Sequence, residues 1–154
     1  MEGTIALAGA LEQCSALTLL DLSFNEIRDE GAVALAECIQ GFSNLQTLGL
    51  ENNKIGVQGC RKLCETLKGL RSLTDVNLAH NELGKGGNGT LLAEALSPST
   101  SLTRLTLGGS LLGDHGATAL AGVLPRFQGL RSLDLEHNYI SSVGVARLCS
   151  SLDK

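Results

Sequence analysis

One sequence pattern recurs five times along the chain, at steps of 28 or 29 residues. Each copy opens on a leucine and places an apolar residue three positions later and another leucine five positions later. A polar residue and an aliphatic one then follow at fixed positions. Repetition at such a period indicates a solenoid, in which each copy stacks on the next. The opening residues are Leu17, Leu45, Leu73, Leu102 and Leu130.

A single copy of the pattern predicts a strand, a turn and a helix. Leu20 and Leu22 occupy every second position of a polar stretch, which is the period of a strand with one buried face. Further on, Leu35 and Ile39 stand four residues apart and therefore share one face of a helix. Asp29 precedes that apolar face and is a candidate N-cap of the helix.

Stacking such units predicts an α/β solenoid of about five repeats. Parallel strands lie about 4.8 Å apart, whereas helices are about 10 Å across. The stack must therefore curve into a horseshoe segment, with parallel strands on its concave face and helices on its convex face. Hydrophobic residues make up 43% of the chain and aromatic ones only 3%, so the expected core is aliphatic.

The repeat also sets the expected domain organisation. We predict one domain over residues 1–154, which begins inside a repeat at a helix carrying Gly3, Leu7 and Leu11. Because neither end carries an obvious cap, we expect a fragment of a larger protein, whose open ends favour end-to-end self-association. The expected units are a half repeat at 1–16 and repeats at 17–44, 45–72, 73–101, 102–129 and 130–154.

A polar side chain follows every predicted strand at the same position of the repeat. A buried side-chain amide can bond backbone groups where the chain leaves a strand. Stacked copies would then form a ladder of such side chains. The predicted ladder residues are Asn25, Asn53, Asn81, Ser110 and Asn138.

The whole pattern, L-x-x-L-x-L-x-x-N-x-I/L-x-x-x-G-x-x-x-L-x-x-x-L, resembles the ribonuclease-inhibitor-like class of leucine-rich repeats. The stretch LDLSFNEIRDEGAVALAECI, from Leu20 to Ile39, most resembles the C-terminal repeats of NOD-like receptors. That resemblance implies a cytosolic sensor of innate immunity, whose repeats recognise a ligand or hold a nucleotide-binding domain inactive. Similar repeats build a GTPase-activating protein of the Ran-activator type and the ribonuclease inhibitor, and both remain alternatives.

We expect the concave face to bind a protein partner. Strand alternation sends five acidic side chains and one basic side chain to this face, and such a surface steers a basic partner. Small residues such as Gly49, Gly108 and Gly109 would leave room for an inserted side chain. The candidate partner-binding residues are Asp21, Ser23, Phe24, Glu51, Asp75, Asn77, Arg104, Thr106, Asp134 and Glu136.

Several other classes of function find no support in the sequence. A net charge of −4 argues against nucleic-acid binding, and no apolar run approaches the ~20 residues of a membrane span. Five cysteines without metal-binding spacing, and no signal peptide, favour a reduced, cytoplasmic protein. No Ser, Cys, His and acid combination points to catalysis, so we expect no enzyme.

The glycine-rich segment at 84–89 matches the dinucleotide-binding pattern G-x-G-x-x-G. However, no acidic residue follows about 20 residues later to hold a ribose. The segment also contains the extra residue of the third repeat, which glycines accommodate easily. We therefore interpret it as a one-residue insertion and expect no cofactor.

Overall fold

The structure is a computed structural model that describes Leu11 and residues 14–152. Within these residues, five parallel strands form one sheet in the order of the sequence, which confirms the predicted α/β solenoid. The helix expected at residues 1–16 lies almost wholly outside the described residues, and the repeat boundaries remain predictions. The strands are β1 (Leu19–Asp21), β2 (Thr47–Gly49), β3 (Asp75–Asn77), β4 (Arg104–Thr106) and β5 (Ser132–Asp134).

Each strand is followed by a helix that packs beside the next helix on the outer side of the sheet. Short 3-10 turns, at Lys85–Gly87 and Leu124–Arg126, accompany two of the helices. No helix in the described part of the chain is long and apolar enough to cross a membrane. The α-helices are α1 (Arg28–Ile39), α2 (Val57–Leu67), α3 (Asn88–Leu96), α4 (Gly113–Val123) and α5 (Ser142–Leu152).

The strand register joins equivalent residues of neighbouring repeats. Leu20 pairs with Leu48, Leu48 with Val76, Val76 with Leu105, and Leu105 with Leu133. These middle residues point into the core, while the strand residues on either side face the concave surface. The period of two in the sequence therefore predicted correctly which side chains face outward.

Aliphatic side chains from both layers fill the core. The helix residues Leu35 and Ile39 are fully buried, as are their equivalents in α2 and α3. Phe42 and Phe127 lie buried where the chain returns from helix to strand. At the last repeat, Leu152, which is equivalent to Ile39, is 61% exposed, because no later repeat covers it in the described chain.

A carboxylate of one repeat caps the helix of the next repeat, which the sequence did not predict. Asp29 lies inside the first turn of α1, so its proposed role as the N-cap of its own helix is wrong. Its Oδ1 instead accepts the backbone N–H groups of Gly56 (2.7 Å) and Gly59 (3.0 Å) at the start of α2. Asp114 makes the equivalent bonds to Ser141 and Gly144 at the start of α5. These bonds satisfy N–H groups that a helix cannot pair internally.

The Asp114 contact predicts a pH-dependent contribution to stability. Hydrogen bonds from the Ser141 hydroxyl and from the backbone N–H groups of Ser141 and Gly144 lower the pKa of Asp114. Because the folded pKa is depressed, this stabilisation is present above the ordinary carboxyl pKa of about 4 and is lost as pH falls through the folded pKa. We expect Asp114→Asn to lower the urea unfolding midpoint at neutral pH, by an amount that shrinks in acid. A difference that stays constant with pH would contradict this role.

Candidate functional site

The strands place the predicted partner-binding residues on one continuous concave face. Asp21, Arg104 and Glu136 are exposed there, and most of the others are half-buried against the sheet. Phe24 differs, because it follows β1 in a turn with a φ of 59° and is 68% exposed at the rim. The half-buried residues of this face are Ser23, Glu51, Asp75, Asn77, Thr106 and Asp134.

Side chains at the ends of three strands are fixed by their own turns. Asp21 Oδ1 accepts the N–H of Ser23 at 2.9 Å, and Asp134 Oδ1 accepts the N–H of Glu136 at 3.0 Å. Asn77 accepts an N–H two residues ahead in the same way. The hydroxyl and N–H of Ser23 also lower the pKa of Asp21, so this carboxylate remains charged in mildly acidic solution. The face thus presents oriented carboxylates.

The acidic side chains of this face form two groups. Asp21 and Glu51 make an N-terminal acidic patch, and Asp134 and Glu136 make a C-terminal acidic patch. Between the two patches, Asp75 lies 3.6 Å from Arg104 Nε, so this carboxylate is partly neutralised. The negative charge is therefore concentrated at the two patches.

Glycines on the concave face do not leave open space, contrary to the sequence-based expectation. A Cβ atom added to Gly49 would lie 2.7 Å from Asp21 Cγ, because the Asp21 carboxylate lies over this glycine. At Gly108 the added atom would lie 2.9 Å from Glu136 Cγ. The imidazole of His80 occupies the corresponding space at Gly109. Neighbouring side chains therefore fill these gaps, and the glycines let the carboxylates lie close to the sheet.

Behind the concave face, buried amides connect consecutive repeats. Asn81 Oδ1 accepts the N–H groups of Asn53 (3.1 Å) and Ile55 (3.0 Å) from the preceding repeat. Its Nδ2 donates to the carbonyl of Leu50 at 2.8 Å. The other buried members of this row are Asn53, Ser110 and Asn138.

Asn25 does not share this buried environment. It is exposed, and among the described residues its Nδ2 donates to carbonyl oxygens of its own turn, those of Leu22 (2.9 Å) and Ser23 (3.1 Å). The expectation that all five polar residues are buried is wrong at this first position. The reason is that β1 lies at the edge of the sheet in the described chain, so no described strand stands beside Asn25 on that side.

A row of ion pairs follows the loop edge of the solenoid, beyond the strand ends. Glu26 pairs with Arg28 at 3.0 Å and with Lys54, and Glu82 pairs with Lys85 at 2.9 Å. Hydrogen bonds from Lys54 and Arg28 lower the pKa of Glu26. Charges on this edge are thus largely balanced, whereas the concave face carries five carboxylates and one guanidinium group. The sequence indicates this row of ion pairs, because Glu26, Lys54 and Glu82 occupy the same position in successive repeats and alternate in charge.

The described residues form no cluster of three or more His, Cys, Asp or Glu side chains that could hold a metal ion. The thiols of Cys60 and Cys64 lie 3.9 Å apart inside the core. Hydrogen bonding with Cys60 and burial raise the pKa of Cys64 above its ordinary value, which disfavours its nucleophilic thiolate form.

Comparison with solved structures identifies the same architecture elsewhere. The C-terminal domain of tropomodulin from Caenorhabditis elegans superposes with a TM-score of 0.74 at 15% identity, covering 97% of this chain and 91% of that one. An internalin from Listeria monocytogenes gives a TM-score of 0.47 at 19% identity, covering 90% of this chain and 47% of that one. At such identities the first similarity shows a shared fold.

Comparison with families of sequences is more specific. No curated protein sequence matches the chain significantly. A family model described as leucine-rich repeat matches residues 13–36, 43–64, 69–87 and 129–149, which together make up more than half of the chain. Each matched segment contains one strand of the sheet, and the segments at 13–36, 43–64 and 129–149 also contain most of the helix that follows. The chain therefore belongs to the leucine-rich repeat family.

Proposed function

We propose that this protein is a non-enzymatic interaction module that binds a basic protein through its concave face. The observation that carries the proposal is the pair of acidic patches on one continuous sheet surface, Asp21 with Glu51 and Asp134 with Glu136. A surface of one charge sign attracts and orients a partner of the opposite sign.

The arrangement of the patches indicates the kind of partner. Glu51 follows β2, and Asp134 is the last residue of β5. These two strands are three strand spacings apart, or about 14 Å. An extended segment covers that distance with about four residues. We therefore propose a partner segment with Lys or Arg at both ends of such a stretch. The carboxylates held by turn N–H groups would meet it with little loss of side-chain freedom.

The broader biological role is proposed by resemblance. The segment from Leu20 to Ile39 resembles the C-terminal repeats of NOD-like receptors. We propose on this basis a cytoplasmic protein whose repeats sense a ligand or restrain a neighbouring domain. Binding through the concave face would serve either role.

Neutralising the two acidic patches tests the proposed surface. The concave variant changes Asp21 and Asp134 to Asn, and Glu51 and Glu136 to Gln. We expect it to lose partners that the wild type captures from cytosolic extract, with a weaker dependence of capture on salt concentration. Quantitative mass spectrometry of the captured proteins at several salt concentrations measures the effect.

A matched control changes the same number of acidic residues on the helices. These side chains are exposed on the opposite surface, so the control has the same net charge as the concave variant. We expect the control to keep the partners of the wild type. If both variants lose the same proteins, net charge rather than the concave face determines binding, and the proposal fails. The control residues are Glu30, Glu37, Glu65 and Glu94.

A further inference from the structure

Basic side chains gather on the edge of the solenoid opposite the loop edge, where each helix returns to the next strand. None of the four returning segments contains an acidic residue. We call this surface the return edge, and it consists of residues 40–46, 68–74, 97–103 and 124–131. Its basic residues, all of them exposed, are Lys68, Arg71, Arg126 and Arg131.

These four side chains differ from most other basic side chains, because no carboxylate of the described chain forms an ion pair with them. Lys68 and Arg71 have described repeats on both sides, so their lack of a partner belongs to the edge itself. Among the described lysines and arginines that have neither an ion pair nor a side-chain hydrogen bond, Arg147 alone lies elsewhere. The basic residues that pair with carboxylates are Arg28, Lys54, Lys62, Lys85 and Arg104.

Hydrogen bonds between consecutive loops hold the return edge in register. The N–H of Thr103 donates to the carbonyl of Thr74 at 2.8 Å, and the N–H of Arg131 donates to the carbonyl of Thr103 at 2.8 Å. The hydroxyl of Ser99 donates to the carbonyl of Leu70 at 3.1 Å. The two loops that carry the cations therefore lie two strand spacings apart, or about 10 Å. An uncharged loop with several hydroxyl groups separates them.

The negative ends of the helices account for only part of this arrangement. Lys68 is the C-cap of α2, and Arg126 ends the 3-10 turn after α4, where a cation is favourable. Arg71 and Arg131 lie beyond the helices, and Arg131 directly precedes β5. An unpaired guanidinium group offers several N–H donors in the geometry that a carboxylate accepts. The return edge thus presents cationic donors that no described carboxylate uses.

We propose that the return edge binds an acidic segment of a partner protein, whose carboxylates contact both pairs of cations. An extended segment covers about 10 Å with about three residues, so acidic residues at that interval reach the pair Lys68 and Arg71 and the pair Arg126 and Arg131. This surface is separate from the concave face, and neither proposal depends on the other.

The composition of the return edge favours a protein segment over a nucleic acid or a membrane. Both of its aromatic side chains, Phe42 and Phe127, are buried, so none is available for bases to stack on. It also exposes no large apolar side chain that could enter a lipid surface. Charge attraction between the cations and carboxylates is the contact that remains.

Fluorescence anisotropy with the 154-residue chain tests the proposal. The probe is a fluorescein-labelled peptide in which one serine separates two pairs of glutamates. We expect the wild type to bind this peptide at low salt and to bind it more weakly as the salt concentration rises. The return-edge variant is expected to bind it about tenfold more weakly, or worse. This variant changes Lys68, Arg71, Arg126 and Arg131 to Gln.

A matched control removes the same number of positive charges elsewhere and has the same net charge as the return-edge variant. It changes Lys54, Lys62, Lys85 and Arg147 to Gln, and we expect its affinity to stay within about twofold of the wild type. Circular dichroism verifies that both variants are folded, which the surface positions of the changed residues favour.

Three results would overturn the proposal. The wild type could fail to bind the peptide at low salt, or the two variants could lose affinity equally, which would show an effect of net charge. A single-stranded oligothymidylate of the same charge could bind the wild type more tightly than the peptide does, which would indicate a nucleic-acid surface. Capture of basic proteins by the concave face is measured separately, so each of these results would leave that proposal untouched.

Discussion

Replacing Asn81 by alanine is expected to lower the free energy of unfolding by about 3 kcal/mol. The side chain accepts the N–H groups of Asn53 and Ile55 and donates to the carbonyl of Leu50, all inside the core. Alanine leaves these backbone groups buried without partners, and each unpaired group costs about 1–3 kcal/mol. Urea unfolding followed by circular dichroism measures the loss.

Asn25→Ala is the matched control for this prediction. Asn25 occupies the same repeat position, but it is exposed, and within the described chain its side chain bonds to Leu22 and Ser23 of its own turn. Water can replace these bonds, so we expect a loss below about 1 kcal/mol. Equal losses at Asn25 and Asn81 would show that the buried bonds between repeats do not stabilise the stack.

Replacing Gly84 by alanine is expected to destabilise the protein by a similar amount, about 3 kcal/mol. An added Cβ atom would overlap the carbonyl of Leu111 and lie 2.6 Å from the Cα of Leu112. Because these neighbours are backbone atoms, the clash can be relieved only by separating the third and fourth repeats. That separation would also strain the bond from the Gly84 N–H to the Ser110 carbonyl, which is 2.8 Å long. Thermal and urea unfolding both report the change.

Gly41→Ala separates this packing effect from the general effect of losing a glycine. A Cβ atom at Gly41 would meet no atom within 4 Å, and the residue is exposed. We expect a change within about 0.5 kcal/mol. If Gly84→Ala were equally harmless, the two repeats would not be in the tight contact that the structure describes.

The fold could be predicted from the sequence because every repeat carries the same pattern of residues. The leucine spacing determined the buried strand residues, the parallel register and the sequential strand order, as the pairs Leu20–Leu48 and Leu105–Leu133 confirm. Local periodicity was sufficient, since each repeat contacts mainly its neighbours. The exposed Leu152 marks the limit of this reasoning, because burial there depends on a neighbour rather than on the pattern.

Side-chain contacts between repeats could not be predicted from the sequence. Asp29 has the residue type and position of an N-cap, but its carboxylate serves the helix of the next repeat. The third repeat contains an extra residue in its glycine-rich segment, and the fourth has Ser110 where the other repeats have Asn. The structure joins them, since Gly84 packs on the backbone that follows Ser110. Such contacts depend on how loops stack in space, which spacing along one chain does not specify.

The candidate site was predictable in its outline only. Strand alternation identified the concave face and its acidic residues, such as Asp21 and Asp134. Whether a side chain occupies the space above a glycine depends on the rotamers of side chains in the neighbouring repeat and on the hydrogen bonds of their turns. For that reason Gly49 and Gly108 were expected to be open space and instead lie under carboxylates.

Site-specific photo-cross-linking tests the central claim, concave-face binding, most directly. A photoreactive amino acid is placed at Thr106 in the middle of the concave face, or at Thr118 on the exposed surface of α4. Each protein is irradiated in cytosolic extract at low and high salt. We predict covalent adducts with a basic protein from position 106, lost at high salt, and none from position 118. Adducts formed from position 118 alone would contradict the account and place the binding surface on the helices.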